Sequence, residues 1–389
     1  MKKHHLRIPG PTEVPESVLG AMQRPMINHR GEEFSKLFKD VSEGLKEVFQ
    51  TKNDVLIFPS AGTGVMEAAI VNLFSPGDLI VSFTCGVFGE RFASIAEAFG
   101  ARVERISVEW GKPVTPEIVR ERILRDKNKE IKGILLTHNE TSTGVLNDVK
   151  SLREAVGDHP ALLLVDAISS LGAVDLKTDE WNLDVVVTGS QKALMMPPGL
   201  GFVSLSPKAW HFVEKSKMPR FYWDFKAARK SLEKGQTPYT PAVSLIFALK
   251  ESLELIKQEG LAHIFARHMK LSRGLREGLK ALGFKLFVED RWASPTVTSV
   301  DVSQYEGRLA FPKLMKSRFN ITIAGGQDRL KNKIMRIGHL GYVDELDIIN
   351  VLAALEMVLG DESLYGKGVN AAEKVFEGEV VGNENTDKR

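Results

Sequence analysis

Only one of the 389 residues is a cysteine, Cys85. A lone cysteine excludes an internal disulfide and a cysteine-rich metal site, and it suits a reducing, cytoplasmic setting. Its plain reading is a small buried hydrophobe. Long hydrophobic runs are missing as well: no stretch approaches the ~20 apolar residues that a membrane-spanning helix needs. The first nine residues are basic, but no apolar run follows them, so no secretory leader is expected. Neither sign of charge dominates. Fifty-two Lys and Arg against fifty Asp and Glu leave a formal +2, too weak a field to point to nucleic acid or an anionic membrane as partner. His4 and His5 stand next to each other near a free terminus, where solvation rather than metal ligation is expected. No repeat and no low-complexity segment occurs.

What is present is an ordinary globular composition, 43% hydrophobic and 26% charged, on a chain long enough for two domains. From about residue 54 to 206, short apolar runs alternate with helical patterns. Strands are expected at Val55–Phe58, Leu79–Phe83, Arg102–Ile106, Gly133–His138, Leu162–Ala167, Val185–Gly189 and Phe202–Leu205. Most are continuous runs of Val, Ile and Leu, which suit strands buried on both faces of a parallel sheet. Between the first two, Met66, Ala69, Ile70, Leu73 and Phe74 repeat at helical spacing. This order predicts an open α/β sheet, whose ligands bind beyond the carboxyl ends of the strands. After Pro207 the pattern loosens, then gives long helices over 244–259 and 261–282 and a last amphipathic helix around Ile348–Leu359. The expected division is an N-terminal segment 1–20, a large domain 21–255, a smaller α+β domain 256–365, and a polar tail 366–389 whose end, from Glu377, lacks periodicity and should fray.

Three segments that each follow a buried strand carry chemistry. Ser60-Ala61-Gly62-Thr63-Gly64 has small residues and a helix start, which suit an anion; it is equally compatible with a plain tight turn. Asp166 closes the apolar run Leu162–Val165 and needs a cationic or hydrogen-bonded partner if buried, or else caps a helix or pairs with an arginine. Lys192 follows Val185–Gln191. At a ligand-binding sheet edge it would lose water and become a nucleophilic amine; elsewhere it would be a surface lysine. Together the three can converge on one crevice.

These segments, with Pro9-Gly10-Pro11, Gly86–Arg91, Thr137–Leu146, Gln236–Pro241 and Ile334–Gly341, resemble the class V aminotransferase family, specifically its alanine–glyoxylate and serine–pyruvate branch. The resemblance runs over nearly the whole chain. It implies the fold type I architecture and pyridoxal 5′-phosphate (PLP) as cofactor. It makes Lys192 the Schiff-base lysine, Asp166 the partner of the pyridine nitrogen, and Gly62, Thr63 and Gln191 ligands of the phosphate. Phe88 falls where the family stacks an aromatic ring on the cofactor; many relatives carry Trp there. Ala61 stands where some carry Ser. Thr141 matches a hydroxyl beside the ring oxygen and the substrate carboxylate. Arg336 matches the arginine that takes the substrate carboxylate, and Gly10 offers it a backbone N–H. Tyr239 and Thr240 match phosphate contacts supplied by a neighbouring subunit, which implies a homodimer with shared sites.

The activity implied is ping-pong transamination from serine or alanine to glyoxylate or pyruvate. A class V lyase such as a cysteine desulfurase would need a nucleophilic cysteine late in the chain, and Cys85 is early. A non-catalytic assembly subunit would have no need of Lys192, Asp166 and Arg336 together.

Overall fold

A computed structural model of the chain describes residues 3–305 and 309–384. The seven expected strands form one sheet. Its order is Val55–Ser60, Gly199–Leu205, Val185–Gly189, Leu162–Asp166, Ile131–Thr137, Leu79–Thr84 and Arg102–Ser107. Gly199–Leu205 runs antiparallel to both its neighbours, and the remaining neighbours pair in parallel. Successive residues of a strand point to opposite faces, and here both faces are apolar. Leu56, Leu135, Leu164 and Val187 pack on one side, while Ile57, Ile134, Leu163 and Val186 pack on the other. Burying such a side chain is worth roughly 1.5–3 kcal/mol, which is why continuous aliphatic runs become central strands. Arg102–Ser107, which carries three charged residues, lies at the sheet edge and is only partly covered.

The helix Gly62–Leu73 covers one face, with Met66, Ala69 and Ile70 fully buried. Val243–Glu259 and Leu261–Ala281 are two helices broken at Gly260, whose φ of +80° ends the first. Residues 207–241, irregular in sequence, hold the short helices Pro207–Val213 and Phe225–Leu232. A second, antiparallel sheet follows, ordered Lys285–Leu286, Val297–Asp301, Ile334–Gly338 and Ala324–Gly325. It shares a core with Leu261–Ala281, Phe311–Phe319 and Glu345–Leu359.

The C-terminus departs from expectation. Glu345–Leu359 is not the last helix, and residues 366–389 are not simply a polar tail: Lys367–Glu384 is helical. Ala372 and Phe376 are buried against Leu271, Leu275 and their neighbours. Val369 and Val375 pack partly buried beside them, so the helix docks by an apolar face set among charged residues. Residues 385–389 lie outside the described residues. At the other end, His5–Leu6 pairs in parallel with Ile321–Thr322, so the N-terminal segment starts on the second unit.

Candidate active site

The strands ending at Ser60, Asp166 and Gly189 point the same way, so the residues after them gather at one edge of the sheet. There they border a cavity of about 280 Å³, lined by Gly10, Gly62, Thr63, Phe88, Thr141, Asp166, Gln191 and Lys192. The chain thus brings eight residues singled out in the sequence to one place.

Asp166 is buried, and its carboxylate accepts one backbone bond, from Ile168 N at 2.9 Å. Burial pushes its pKa from 3.8 up to about 7, despite the opposing pull of that bond, Lys192 and Arg91. Desolvation also dominates at Lys192, lowering it to about 8, with Arg336 and Arg91 adding to the fall and Asp166 resisting it. Lys192 Nζ donates to the Pro9 carbonyl at 2.6 Å. Gly10 sits against it with φ +130°, and a Cβ there would collide with Nζ. The backbone conformation thus favours glycine, and any side chain there would displace the Lys192 amine.

Gly62 and Thr63 open the helix Gly62–Leu73, whose first turn carries no side-chain cap and no acidic residue. Its N-terminal dipole is thus available to an anion. A Cβ at Gly62 would strike Ile168. Gln191 presents a buried Oε1 with no hydrogen-bond partner among the described residues. Phe88 lies in the first turn of the helix Val87–Ala98, where Glu140 accepts from the backbone N–H of Phe88 and of Gly89, both at 3.1 Å. Burial raises the Glu140 pKa, and bonds from Ser142, Gly89 and Phe88 oppose the rise. Thr141 Oγ1 donates to Ser169 Oγ at 2.6 Å.

Arg336, Tyr239 and Thr240 do not line this cavity. Arg336 is buried on its strand; Nη1 donates to the Thr141 carbonyl at 3.0 Å and Nε to that of Gly325 at 2.9 Å. Burial lowers its pKa to about 10, and among the described residues it pairs with no carboxylate. Tyr239 stacks on Phe221 and on Tyr222, with 5.5 Å between centroids in each pair, and Thr240 is exposed.

Sequence reasoning gave no role to three lining residues, Arg91, Ser169 and Gln327, and marked Asn139 only as part of a loop on which the pocket depends. Arg91 lies one helical turn past Phe88; its Cζ is 4.8 Å from that ring's centroid and Nη1 reaches Thr63 Oγ1 at 3.4 Å. That spacing was a usable signal, as was the position of Asn139 and Ser169 just after strand ends. Asn139 Nδ2 donates to Ser169 Oγ at 2.8 Å and to Thr296 Oγ1 at 3.0 Å, an arrangement between distant segments. Gln327 sits in an irregular loop with no sequence signal. Among the described residues, no three His, Cys, Asp or Glu side chains cluster as metal ligands, and no helix is long and apolar enough to cross a membrane.

The arrangement offers an anion-holding turn, an aromatic face, a buried carboxylate and an amine of depressed pKa around one small space. Comparison with known proteins agrees with it. Residues 6–346 match the family model described as aminotransferase class-V. The chain belongs to the class V aminotransferases. These are PLP-dependent enzymes, and the fold is their fold type I architecture. A soluble hydrogenase 42 kDa subunit of Anabaena cylindrica is 47% identical over 95% of this chain and 98% of its own. The serine–glyoxylate aminotransferase of Hyphomicrobium methylovorum is 41% identical, covering 96% of this chain and 94% of its own. The crystal structure of ureidoglycine–glyoxylate aminotransferase from Bacillus subtilis superposes with a TM-score of 0.90 at 31% identity, over 97% of this chain and 99% of that one.

Proposed function

We propose that this class V aminotransferase moves an amino group from a small amino acid, serine or alanine, to a 2-oxo acid, glyoxylate or pyruvate, in two half-reactions at the cavity around Lys192. One observation carries the reading: a lysine of pKa about 8 and a fully buried carboxylate share one desolvated cavity. A buried carboxylate with a single hydrogen-bond donor asks for a cation, and a protonated pyridine nitrogen is one. The other walls fit PLP as well. The N–H groups of the helix start at Gly62 and Thr63 and the side-chain Nε2–H of Gln191 suit its phosphate, Phe88 its ring, and Thr141 its ring oxygen.

When bound, PLP supplies the electron sink that makes the donor's Cα–H acidic. The remaining work falls to the chain. Lys192 holds the cofactor at rest; once freed, its amine has a pKa near the working pH and can take the Cα proton. Asp166 keeps a positive charge opposite itself. Arg336, with Gly10, receives the substrate carboxylate, the bidentate anion that a guanidinium fork suits. Tyr239 and Thr240 reach the phosphate of a neighbouring subunit in a homodimer, and the enzyme works in the cytoplasm.

Glyoxylate as acceptor is supported by the names of the Hyphomicrobium and Bacillus proteins. The hydrogenase-subunit name of the Anabaena relative keeps an assembly role as the rival reading. A lyase using Cys85 is disfavoured because that thiol is buried, bonded by Asn147 Nδ2 at 3.3 Å and raised in pKa.

The test is an absorbance spectrum of the purified protein between about 300 and 500 nm. Serine or alanine should convert a visible band to a shorter-wavelength one, and glyoxylate or pyruvate should restore it, and Lys192→Ala should abolish the cycle. A protein that stays colourless with added PLP would sink this function and leave the assembly role.

A further inference from the structure

The segment Leu6–Glu13 is pinned at both ends and reaches the active lysine in the middle. Leu6 N donates to Glu13 Oε1 at 2.8 Å, closing the segment into a loop. Arg7, 3% exposed, fills that loop, with Nη2 bonded to Glu13 and, at 2.7 Å, to Asp347 Oδ1 on the helix Glu345–Leu359. A guanidinium so buried is tolerable only with both carboxylates in place.

Three further bonds tie this loop to the strand of Arg336 and to the segment that carries Lys192. Gly338 N donates to the Arg7 carbonyl at 2.7 Å, two residues beyond Arg336 on the same strand. Thr12 N donates to the Gln191 carbonyl at 3.2 Å and Thr12 Oγ1 to the Lys192 carbonyl at 3.1 Å. The tip between these anchors is Pro9–Gly10, whose carbonyl and open Cα edge meet Lys192 Nζ.

We propose that Leu6–Glu13 is a clamp that holds the freed Lys192 amine on the Pro9 carbonyl, and that Arg7 is the positioning residue that sets the clamp through Glu13 and Asp347. The proposal rests on the transaminase reading above. It explains why a buried guanidinium held by two partly exposed carboxylates stands beside the site without lining it. An acceptor at hydrogen-bond distance orders the amine of a flexible side chain that otherwise has many rotamers, and an ordered base transfers a proton faster than a wandering one. Because Arg7 O is bonded to Gly338 N on Arg336's own strand, the clamp also keeps the carboxylate-binding and proton-transferring groups in register.

Two measurements test this. In a crystal structure of the enzyme saturated with L-serine and given no oxo acid, Lys192 Nζ should lie within about 3.2 Å of Pro9 O, a normal hydrogen-bond distance; an amine directed elsewhere overturns the clamp. In single-turnover kinetics, Glu13→Gln and Arg7→Lys should slow the spectral conversion by about tenfold or more, the range over which a positioned general base acts. Serine affinity should change much less, and the isotope effect with α-deuterated serine should rise because Cα–H cleavage becomes more rate-limiting. Variants that only melt earlier, or only bind serine more weakly, with rate and isotope effect unchanged, would reduce Arg7 to a structural residue. Wild-type protein that gives no half-reaction with any amino acid refutes the function instead, so the two failures are distinguishable.

Discussion

The Glu140 carboxylate accepts the backbone N–H of Phe88 at 3.1 Å, so an acidic side chain from the short strand Asn139–Glu140 seats the helix turn that carries Phe88 at the cavity wall. Ser142 N and Oγ bond to the same carboxylate, at 3.1 and 2.6 Å. An amide has one acceptor oxygen where the carboxylate has two, so Glu140→Gln strands at least one donor in the interior. The expected loss is about 1–3 kcal/mol of unfolding free energy, measured in denaturant. Unchanged stability would show that the carboxylate is not what holds the turn.

Phe88 itself should matter for cofactor retention. Phe88→Ala is expected to weaken PLP binding by about 0.5–1.5 kcal/mol, the worth of an aromatic stacking contact, and Phe88→Trp to preserve it. Equilibrium titration of the cofactor-free protein with PLP gives both numbers. Equal affinity in the alanine variant would assign Phe88 to packing alone.

Asp166 makes the cofactor-free protein pH-sensitive in a defined window. Below about pH 4 the carboxyl is protonated whether the chain is folded or not. Between about 4 and 7 the unfolded chain releases the proton while the fold retains it, so stability falls as pH rises. The full effect is at most about 4 kcal/mol. Asp166→Asn should flatten this slope, and PLP, by placing a cation at the carboxylate, should do the same for the unaltered protein. Thermal or urea unfolding at several pH values decides it. A slope that persists in the asparagine variant belongs to another group.

Arg336 is expected to govern substrate affinity more than turnover. Replacing it with Gln removes a charge-assisted contact worth about 1.5–3 kcal/mol, or roughly 10- to 150-fold in kcat/KM. The loss should appear mainly as a higher KM for the amino donor. Because Arg336 also bonds the Thr141 and Gly325 carbonyls, Arg336→Lys should rescue little: an ammonium cannot reproduce the fork. A variant with normal KM and low kcat would place the carboxylate site elsewhere.

The C-terminal helix should be part of the fold. Phe376 lies over Gly274, where any added Cβ would strike its ring. Phe376→Ala is expected to cost about 3 kcal/mol in denaturant unfolding. Ending the chain at residue 365 should destabilise it further by exposing Leu271 and Leu275.

Much of this was legible from residue order. A strand buried on both faces needs an unbroken aliphatic run, so Leu162–Val165 and Val185–Val187 declared themselves, and a charged residue right after such a run marks the sheet edge where ligands bind. Asp166 and Lys192 were visible for that local reason, and Gly62–Thr63 by the small residues before a helical repeat. The rest depended on contacts that no local pattern encodes. The docking face of the helix Lys367–Glu384, with Val369, Ala372, Val375 and Phe376, is set among charged residues and meets its partner surface only in the fold. The ion triad of Arg7, Glu13 and Asp347 joins residues up to 340 positions apart. The pKa values of Asp166 and Lys192 arise from burial, which exists only once the sheet, the N-terminal segment and the second unit close around them. The sequence by itself determined which groups reach the sheet edge, because alternation and hydrophobicity act residue by residue. Their desolvation, and the Pro9 carbonyl that meets Lys192, were decided by tertiary structure alone, because both need distant segments brought within hydrogen-bond distance.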